Sequence, residues 1–434
     1  MIKTRTAKTL SALLAAVFLI VFLFELPVLA DDAEPGTEPQ QTAEKAASVP
    51  VNVSEQCTYV GSVNATSYPI RLPTTSLKSW CTIPADGFIS ITWDDTVDVD
   101  FVFYQFIERV SAYTVETLDA EGNVLSSAEG KYYWNDGLEV GDNVRAVRLS
   151  SPEEMLIFQF AAFSNGAPVD YHTWQATPEK TDFMIISTHP DDDVLFMGAV
   201  MPTYGAEKGY EGTIVYMTAS ERKRDTEALN GAWEMGLRTY PLFAGMPDIV
   251  SSKEAASRRH PKFNDDNVTL RLVQYIRQMK PEIVVTHDLN GEYGHFQHKV
   301  VARSAQNAMT LAADETYDPE SAEQYGVWQV KKLYLHLYPE NTIQLDPLAP
   351  LSAFDGASVF EIASKAYGWH KTQNKGRHQV TNTGVESLAD FGLAFTTVGP
   401  DVTGGDMFEN IPPKAAETPV TETAEEPAAE VPAA

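Results

Sequence analysis

Cysteine and positive charge are both scarce in this sequence of 434 residues. It has only two cysteines, Cys57 and Cys81, which excludes a cysteine-rich metal site, so any metal must be held by histidines and carboxylates. The two thiols either form one disulfide or are independent, and the sequence leaves both open. Lysine and arginine number 32 against 60 acidic residues, a formal net charge of −28. Because nucleic acids and anionic membranes are themselves negative, this excess argues against both as partners.

Long hydrophobic runs are also missing, apart from one near the N-terminus. Basic residues at positions 3, 5 and 8 precede an apolar run over residues 10–24, and small residues follow at 28–30. This order predicts a secretory signal peptide over residues 1–30. An uncleaved membrane anchor is the alternative, since the run nearly reaches bilayer length, although Glu25 and Pro27 interrupt it. Either outcome predicts a secreted or cell-surface protein.

Two segments lack aromatic residues altogether, residues 31–49 and 411–434. Both are rich in Glu, Ala and Pro, a composition that cannot bury enough apolar surface to fold. We predict a disordered linker and a disordered tail. A tail of this kind suits passage through a cell wall, so cell-wall or membrane-surface association is a further expectation. Nothing in the sequence indicates the oligomeric state.

Residues 50–175 have the pattern of an all-β domain. Short runs of β-branched and aromatic residues recur at 87–93, 99–105 and 111–118. Turn signals follow at 119–122 and 135–137. The pattern predicts a β-sandwich and loosely resembles galactose-binding-like jelly rolls, which makes it a candidate carbohydrate-binding module. Four aromatic side chains either line a sugar platform or belong to the core: Trp93, Tyr132, Tyr133 and Trp134.

From residue 180 onward the pattern changes to alternating strands and helices. Four apolar segments predict strands, at 183–188, 213–218, 282–286 and 333–337. Between them, helical stripes of apolar residues cover 223–236 and 267–279. This alternation predicts an α/β fold with a parallel sheet covered on both faces.

An acidic cluster directly follows the first of these strands. Residues 189–193 read HPDDD, so one histidine and three aspartates stand within five residues. Ligands of open α/β sheets bind at the carboxyl ends of strands. Crowded carboxylates repel one another unless a cation neutralises them, so a metal ion is one explanation. The other is that Asp191, Asp192 and Asp193 cap the next helix.

A second cluster follows the third strand of this region. It begins with His287 and ends with GHFQH at residues 294–298. His295 and His298 are three residues apart and would share one face of a helix, so one imidazole can bind metal while the other faces substrate. Glycines at 291 and 294 permit an unusual backbone conformation just before the pair.

Together the two clusters resemble the signatures of the PIG-L/LmbE-like family of zinc-dependent N-acetylglucosaminyl deacetylases. Those signatures usually read AHPDDE and GHPDH. The resemblance covers residues 180–410 and implies a Rossmann-like parallel sheet there. Weaker similarity occurs at 224–227, at 366–373 and at 408–411.

The resemblance also implies roles for individual residues. Three would bind Zn²⁺ or another divalent metal: His189, Asp192 and His298. Asp191 would be the general base that activates water for attack on the acetamide carbonyl. Tyr293 would help stabilise the oxyanion, and His295 would act as an electrostatic stabiliser or as general acid toward the leaving amine.

Two further residues have interpretations that stay open. Arg224 either reaches polar or phosphate groups of the substrate or is a solvated helix arginine paired with Glu221 or Glu227. Asp288 is a candidate carboxylate behind a metal-binding histidine. His336, His370 and His378 carry no such argument and default to structural or surface roles.

The sequence departs from the family pattern at two positions that bear on the chemistry. Asp193 stands where the family usually has Glu, which shortens the side chain but keeps the charge. Gln297 replaces the Asp that is expected to orient and charge the neighbouring histidine. Since Gln can hydrogen-bond but carries no charge, the acid role of His295 is weaker than the metal site.

These observations predict hydrolysis of an N-acetyl group on a GlcNAc-containing saccharide or conjugate, with an N-acetylated sugar as the substrate partner. One alternative is a carbohydrate-binding surface protein with a degenerate, metal-binding hydrolase domain. Another keeps the metal-dependent hydrolase but changes the acyl group that is removed.

Overall fold

A computed structural model describes residues 49–62, 80–168, 171–219, 222–249, 260–373, 376 and 378–412. The predicted signal peptide, nearly all of the predicted linker and nearly all of the predicted tail lie outside these residues. Within the described ranges, no helix combines the length and the apolar character needed to cross a membrane.

The described residues before 165 carry ten strands. They are β1 (Val51–Asn52), β2 (Thr58–Gly61), β3 (Cys81–Ile83), β4 (Gly87–Thr92), β5 (Phe101–Phe106), β6 (Thr114–Leu118), β7 (Val124–Glu129), β8 (Asn135–Glu139), β9 (Ala146–Ser151) and β10 (Met155–Ser164). One antiparallel sheet has the order β1-β10-β5-β8, with β3 also on β10, and the other has the order β2-β4-β9-β6-β7. Alternate side chains of both sheets form one shared core, as in a sandwich. Ile89 and Ile91 of β4 and Val102 of β5 illustrate it.

One predicted turn is wrong. Asn135, Asp136 and Gly137 lie in β8 and pair with β5, so that Gly137 is opposite Phe103. A Cβ on Gly137 would stand 2.5 Å from the Phe101 ring. The glycine is therefore there for close approach of an aromatic ring and not for a reversal of the chain. The predicted turn at 119–122 is present, with Gly122 N–H donating to the Asp119 carbonyl.

The described residues after 180 carry seven strands and six helices. The strands are β11 (Phe183–Ser187), β12 (Gly212–Ala219), β13 (Leu242–Pro247), β14 (Ile283–Thr286), β15 (Lys332–His336), β16 (Thr342–Gln344) and β17 (Asp390–Thr396). The helices are α1 (Asp192–Leu195), α2 (Arg222–Glu234), α3 (Asp265–Met279), α4 (Phe296–Leu311), α5 (Pro319–Tyr325) and α6 (Val359–Tyr367), with a π-helical segment at Met201–Glu207.

These strands form one mixed sheet in the order β13-β12-β11-β14-β15-β17-β16. The first five are parallel, while β17 runs antiparallel to both β15 and β16. The α/β class is therefore confirmed, but the expectation of a parallel sheet holds only for β11–β15.

Both faces of the sheet are buried, and the strand sequences explain why. Alternate residues of β11, β12 and β14 enter different cores, so that Ile185 packs on one side and Met184 on the other. The first core includes residues of α2 and α6, and the second includes residues of α3 and α4. Strands buried on both faces are apolar along their whole length. This explains why β11 reads FMIIS.

The all-β and α/β portions belong to one compact unit and meet through aromatic rings. The Tyr133 ring stacks on Tyr240 at 3.8 Å, and Trp134 meets Phe243 edge-on. Trp93 is buried in the sandwich core, and only Tyr132 of the four candidate sugar-platform aromatics is exposed. Carbohydrate binding by this portion stays a prediction.

No disulfide joins the two cysteines. Cys57 is a free thiol that donates to the Val53 carbonyl. Burial raises the pKa of Cys57 to about 11, so this thiol is protonated and unreactive at neutral pH.

Candidate metal centre

The HPDDD segment leaves the carboxyl end of β11 as a tight loop. Ser187 Oγ donates to the His189 carbonyl at 2.7 Å and accepts from the Asp193 N–H at 3.1 Å. The His189 N–H in turn donates to Asp192 Oδ2 at 2.8 Å. Asp191 occupies the N-cap position of α1, yet its side chain makes no capping hydrogen bond. The loop therefore orients the aspartates for contacts outside the helix, and the capping interpretation is wrong for Asp191.

The segment after β14 is shaped by glycine. Gly291 has φ of 68°, and a Cβ there would stand 2.3 Å from the His295 carbonyl oxygen, so the chain can close this turn only with glycine. Tyr293 itself adopts a left-handed conformation with φ of 43°. The result is a single 3₁₀ turn, Glu292–Gly294, that leads directly into α4. This turn brings His298, in the first turn of α4, toward the β11 loop.

The two loops meet at a group of three donor atoms. His189 Nδ1 lies 2.9 Å from Asp192 Oδ2 and 3.1 Å from His298 Nε2. His298 Nε2 lies 3.1 Å from the same Asp192 oxygen. Ligands of a tetrahedral zinc with bonds of about 2.0–2.2 Å stand roughly 3.3–3.6 Å apart. The predicted trio therefore needs only a small expansion to hold a metal ion, and its residue types fit one.

Two other histidines lie close enough to be considered as ligands. One set of three donors within 4.8 Å joins His295 to His189 and His298, and another joins His287 to Asp192 and His298. His287 is already engaged, because its Nε2 accepts the Thr188 N–H at 2.9 Å and its Nδ1 faces a carboxylate. His295 is more loosely placed, with its ring centre 4.8 Å from that of His189. The predicted trio is the tightest of these arrangements.

Glu292 organises the histidines behind the trio, and sequence reasoning missed it. Its Oε2 lies 2.7 Å from His298 Nδ1 and 2.8 Å from His287 Nδ1, and its Oε1 lies 2.9 Å from His336 Nδ1. A carboxylate on the far nitrogen of a ligating histidine fixes the ring and its tautomer. Asp288, the predicted candidate for this role, instead accepts from Asn290 within its own turn. No sequence spacing distinguishes the two acids, since only the 3₁₀ turn directs Glu292 inward.

The electrostatics of the trio favour a cation. Burial opposes the charge on Asp192, but His298 and His189 hold its pKa well below the usual range. Burial also opposes the charge on His298, yet Asp192 and Glu292 raise its pKa to about 10. A proton on His298 thus occupies a position where negative charge converges. Imidazole ligands must be deprotonated to bind a metal, so a metal ion would replace that proton.

Asp191, the predicted general base, lies beside the trio in a buried ion pair. Arg224 Nη2 donates to Asp191 Oδ1 at 2.8 Å, and its Nη1 donates to Asp248 Oδ2 at 3.1 Å. Burial, together with the charge on Asp192, raises the pKa of Asp191, while Arg224 opposes the rise. Arg224 is therefore not a solvated helix arginine, and Glu227 instead accepts from Thr372. Asp248, at the end of β13, was not predicted from the sequence.

The remaining predicted residues lie around this group. His295 is partly exposed, and its Nδ1 has no hydrogen-bond partner among the described residues. Burial and the neighbouring imidazoles lower the pKa of His295 to about 3. The Tyr293 side chain is 52% exposed, and its ring centre lies 5.6 Å from that of His295. Both side chains border the cluster on its accessible side.

The two departures from the family pattern have structural outcomes. Asp193 accepts from the Tyr216 hydroxyl at 2.9 Å, so it does find a partner. Burial raises the pKa of the Asp193 carboxyl to about 8. The hydrogen bond expected from Gln297 to His295 is not among those that its side chain makes with the described residues. Its Oε1 lies 3.4 Å from His189 Nε2, on the side of that ring turned away from the trio.

Comparison with known proteins agrees with the geometry of this centre. Residues 184–309 match the family model described as PIG-L: GlcNAc-PI de-N-acetylase. A 1D-myo-inositol 2-acetamido-2-deoxy-alpha-D-glucopyranoside deacetylase from Catenulispora acidiphila is 29% identical over 42% of this chain and 63% of its own length. A deacetylase of the same name from Streptomyces scabiei is 27% identical over 37% of this chain and 57% of its own length. The chain thus spans about 60% of these relatives.

A solved structure also aligns with part of the chain. It is the N,N'-diacetylchitobiose deacetylase from Pyrococcus horikoshii, 18% identical, covering 46% of this chain and 74% of that one. The TM-score is 0.35.

Proposed function

We propose that this chain, a member of the PIG-L family through its domain at residues 184–309, is a zinc-dependent deacetylase of GlcNAc-containing sugars. The observation that carries the proposal is the group formed by His189, Asp192 and His298, whose three donor atoms converge within 3.1 Å. Three protein ligands are what a catalytic zinc uses, since the fourth position serves the reaction. The relatives named above are deacetylases of a GlcNAc-inositol, which supports the same substrate class.

The chain's own residues divide the work of amide hydrolysis. Bound zinc would supply Lewis acidity toward the acetamide carbonyl and lower the pKa of water. Asp191, held by Arg224, takes the proton from the attacking water. The Tyr293 hydroxyl donates a hydrogen bond to the carbonyl oxygen as negative charge develops there. His295, on the accessible side of the cluster, stabilises the leaving nitrogen, which takes up the proton that Asp191 removed from the water.

We assign the five parallel strands to a Rossmann-like core, because both polar loops then leave neighbouring strands at one edge of the sheet. We also infer that the protein acts outside the cytoplasm. That inference depends on the signal-like pattern of residues 1–30, which lie outside the described part of the chain.

Acetate release tests the proposal directly. The purified protein should release acetate from at least one member of a panel containing GlcNAc-inositol, GlcNAc-phosphatidylinositol and N-acetylated chito-oligosaccharides. Chelator should abolish the release and added Zn²⁺ should restore it, whereas His298→Ala should stay inactive with zinc present. Undiminished acetate release after metal removal would refute the role of zinc. Glycan binding with one equivalent of zinc but no acetate release would favour a binding protein with a degenerate hydrolase domain.

A further inference from the structure

Gln297 makes a set of contacts that a degenerate position would not need. Its Oε1 accepts the Ile249 N–H at 3.0 Å, and its Nε2 donates to the Pro247 carbonyl at 3.1 Å. A proline carbonyl can only accept, so this pairing fixes which end of the amide is oxygen. Gln297 therefore hydrogen-bonds to the backbone on both sides of one residue, Asp248.

These two hydrogen bonds hold Asp248 beside two residues of the proposed centre. Its Oδ2 accepts from Arg224 Nη1 at 3.1 Å, and its Oδ1 lies 3.7 Å from His189 Nε2. The second distance is longer than a direct hydrogen bond but within range for a strong electrostatic interaction. The same guanidinium also binds Asp191, so Asp248 influences both the ligand His189 and the proposed base.

The surroundings of His189 Nε2 determine how that ring can bind a metal. Two oxygens that accept hydrogen bonds lie near Nε2, Gln297 Oε1 at 3.4 Å and Asp248 Oδ1 at 3.7 Å. Two acceptors favour a hydrogen on Nε2, which leaves the lone pair on Nδ1, the nitrogen that faces Asp192 and His298. His298 has the opposite arrangement, with Nδ1 on Glu292 and Nε2 in the trio.

We propose that Gln297 and Asp248 form a positioning pair for the metal ligand His189. Gln297 fixes the backbone around Asp248, and Asp248 supplies beside His189 and Arg224 the negative charge that Gln297 itself lacks. The family signature places an aspartate at position 297. In this chain the charge is supplied from the end of β13. This inference depends on the proposed metal centre and concerns residues that do not themselves touch the metal.

Zinc affinity, measured by competition with a chromogenic chelator on the full chain, tests the pair without using catalysis. We expect Asp248→Asn and Gln297→Ala each to weaken zinc binding by about 10–100-fold, the usual effect of removing an outer partner of a ligating histidine. Asp265→Asn is the matched control, since Asp265 also pairs with an arginine, Arg303, but on the surface. It should leave zinc affinity unchanged.

The double variant distinguishes a pair from two independent residues. If Gln297 acts through Asp248, the combined change should weaken zinc binding no more than the larger single change does. Thermal unfolding in the presence of chelator should show that each variant is folded. Gln297→Glu keeps the acceptor for Ile249 but loses the donor to Pro247. Relative to Gln297→Ala, it should recover only part of the zinc affinity.

The outcomes separate this inference from the proposed function. Zinc affinity equal to that of the unmodified protein in Asp248→Asn, or additive losses in the double variant, would overturn the pairing even if acetate is released normally. Weakened zinc binding in both single variants without additivity would support it, even if no substrate of the panel is deacetylated. A wild-type chain that binds no zinc would overturn both.

Discussion

The two ends of strand β15 show two kinds of buried charge. At its beginning, Lys332 is fully buried against Asp401 at 2.5 Å, with the Met407 carbonyl at 3.1 Å. At its end, His336 joins Glu292, which leads to His298 and the trio. Burial alone therefore does not distinguish a structural ion pair from a reactive centre.

What distinguishes them is how charges and lone pairs are balanced. At the beginning of β15 one ammonium faces one carboxylate, and Asp401 also accepts from the Tyr334 hydroxyl. At the other end, donor atoms of three residues converge on one point. Two nearby carboxylates, Asp191 and Asp248, both pair with the same guanidinium, that of Arg224. In the first group the positive and negative charges balance without any added ion. The second would be relieved by a cation, because its negative charges outnumber its permanent positive ones among the described residues.

The largest effect that this comparison predicts is on stability. Asp401→Asn leaves the Lys332 ammonium buried without its counter-charge, so we expect the free energy of unfolding to fall by about 3–5 kcal/mol. Urea denaturation of the full chain measures it. Zinc affinity should change little, and replacing both partners by Met and Leu should restore most of the stability. A loss below about 1 kcal/mol would mean that the pair of Lys332 and Asp401 contributes little to stability, which would contradict its structural role.

At the other end of the strand, Asp192→Asn should act on chemistry. Without this ligand we expect zinc to be lost and acetate release to fall about a thousandfold, which corresponds to about 4 kcal/mol. Metal analysis and initial rates measure the two effects together. Asp346→Asn, a turn-capping aspartate in an exposed loop, is the control. Retention of stoichiometric zinc by the Asp192 variant would show that another set of residues holds the metal.

Metal removal should lower the free energy of unfolding by a smaller amount, and only through the trio. With free Zn²⁺ at about 100 times its dissociation constant, binding raises the free energy of unfolding by about 2.7 kcal/mol. Thermal unfolding with and without chelator should show this difference in the Asp401→Asn variant as well, and it should vanish in Asp192→Asn. If chelator leaves the thermal unfolding midpoint of the wild-type protein unchanged, the trio holds no zinc and its charges balance within the protein, as those around Lys332 do.

The smallest effect concerns Glu292. Glu292→Gln replaces one accepting oxygen by an amide nitrogen that cannot accept from an imidazole N–H, so zinc affinity should weaken by about 10–100-fold. Isothermal titration with a competing chelator measures the change. Glu227→Gln is a matched control, because Glu227 is also a buried glutamate but binds Thr372 and no histidine. Equal losses in the two variants would contradict the role of Glu292.

The sequence was sufficient to predict the main strands and the convergence of the two motifs. Four predicted strands agree with β11, β12, β14 and β15 to within one or two residues, because strands buried on both faces are continuous apolar runs. The two glycines before His295 were correctly predicted to permit an unusual backbone. The rule that carboxyl ends of parallel strands share one edge of the sheet predicts that the two motifs meet, whereas the choice of His189, Asp192 and His298 as ligands came from the resemblance to the PIG-L/LmbE-like family.

What the sequence could not predict depends on contacts between distant segments. Asp248 reaches Arg224 and His189 only because β13 lies next to β12 in the sheet, and no periodicity encodes that order. Asp288 and Glu292 are equally acidic and close in sequence, so only the 3₁₀ turn determines which of them faces the histidines. The antiparallel β17 was missed for the same reason, since its pairing partner is distant in the chain.

The hydrogen bond from His336 Nε2 to the Ser387 carbonyl, at 2.7 Å, has a consequence for the timing of assembly. Ser387 lies in the segment before β17, so the outermost support of the metal centre comes from a segment that follows both motifs in the chain. During synthesis the N-terminal strands can pair long before that segment emerges. We expect the centre to be completed only after this segment has emerged, and a chain interrupted before Ser387 to contain both motifs while lacking a finished site.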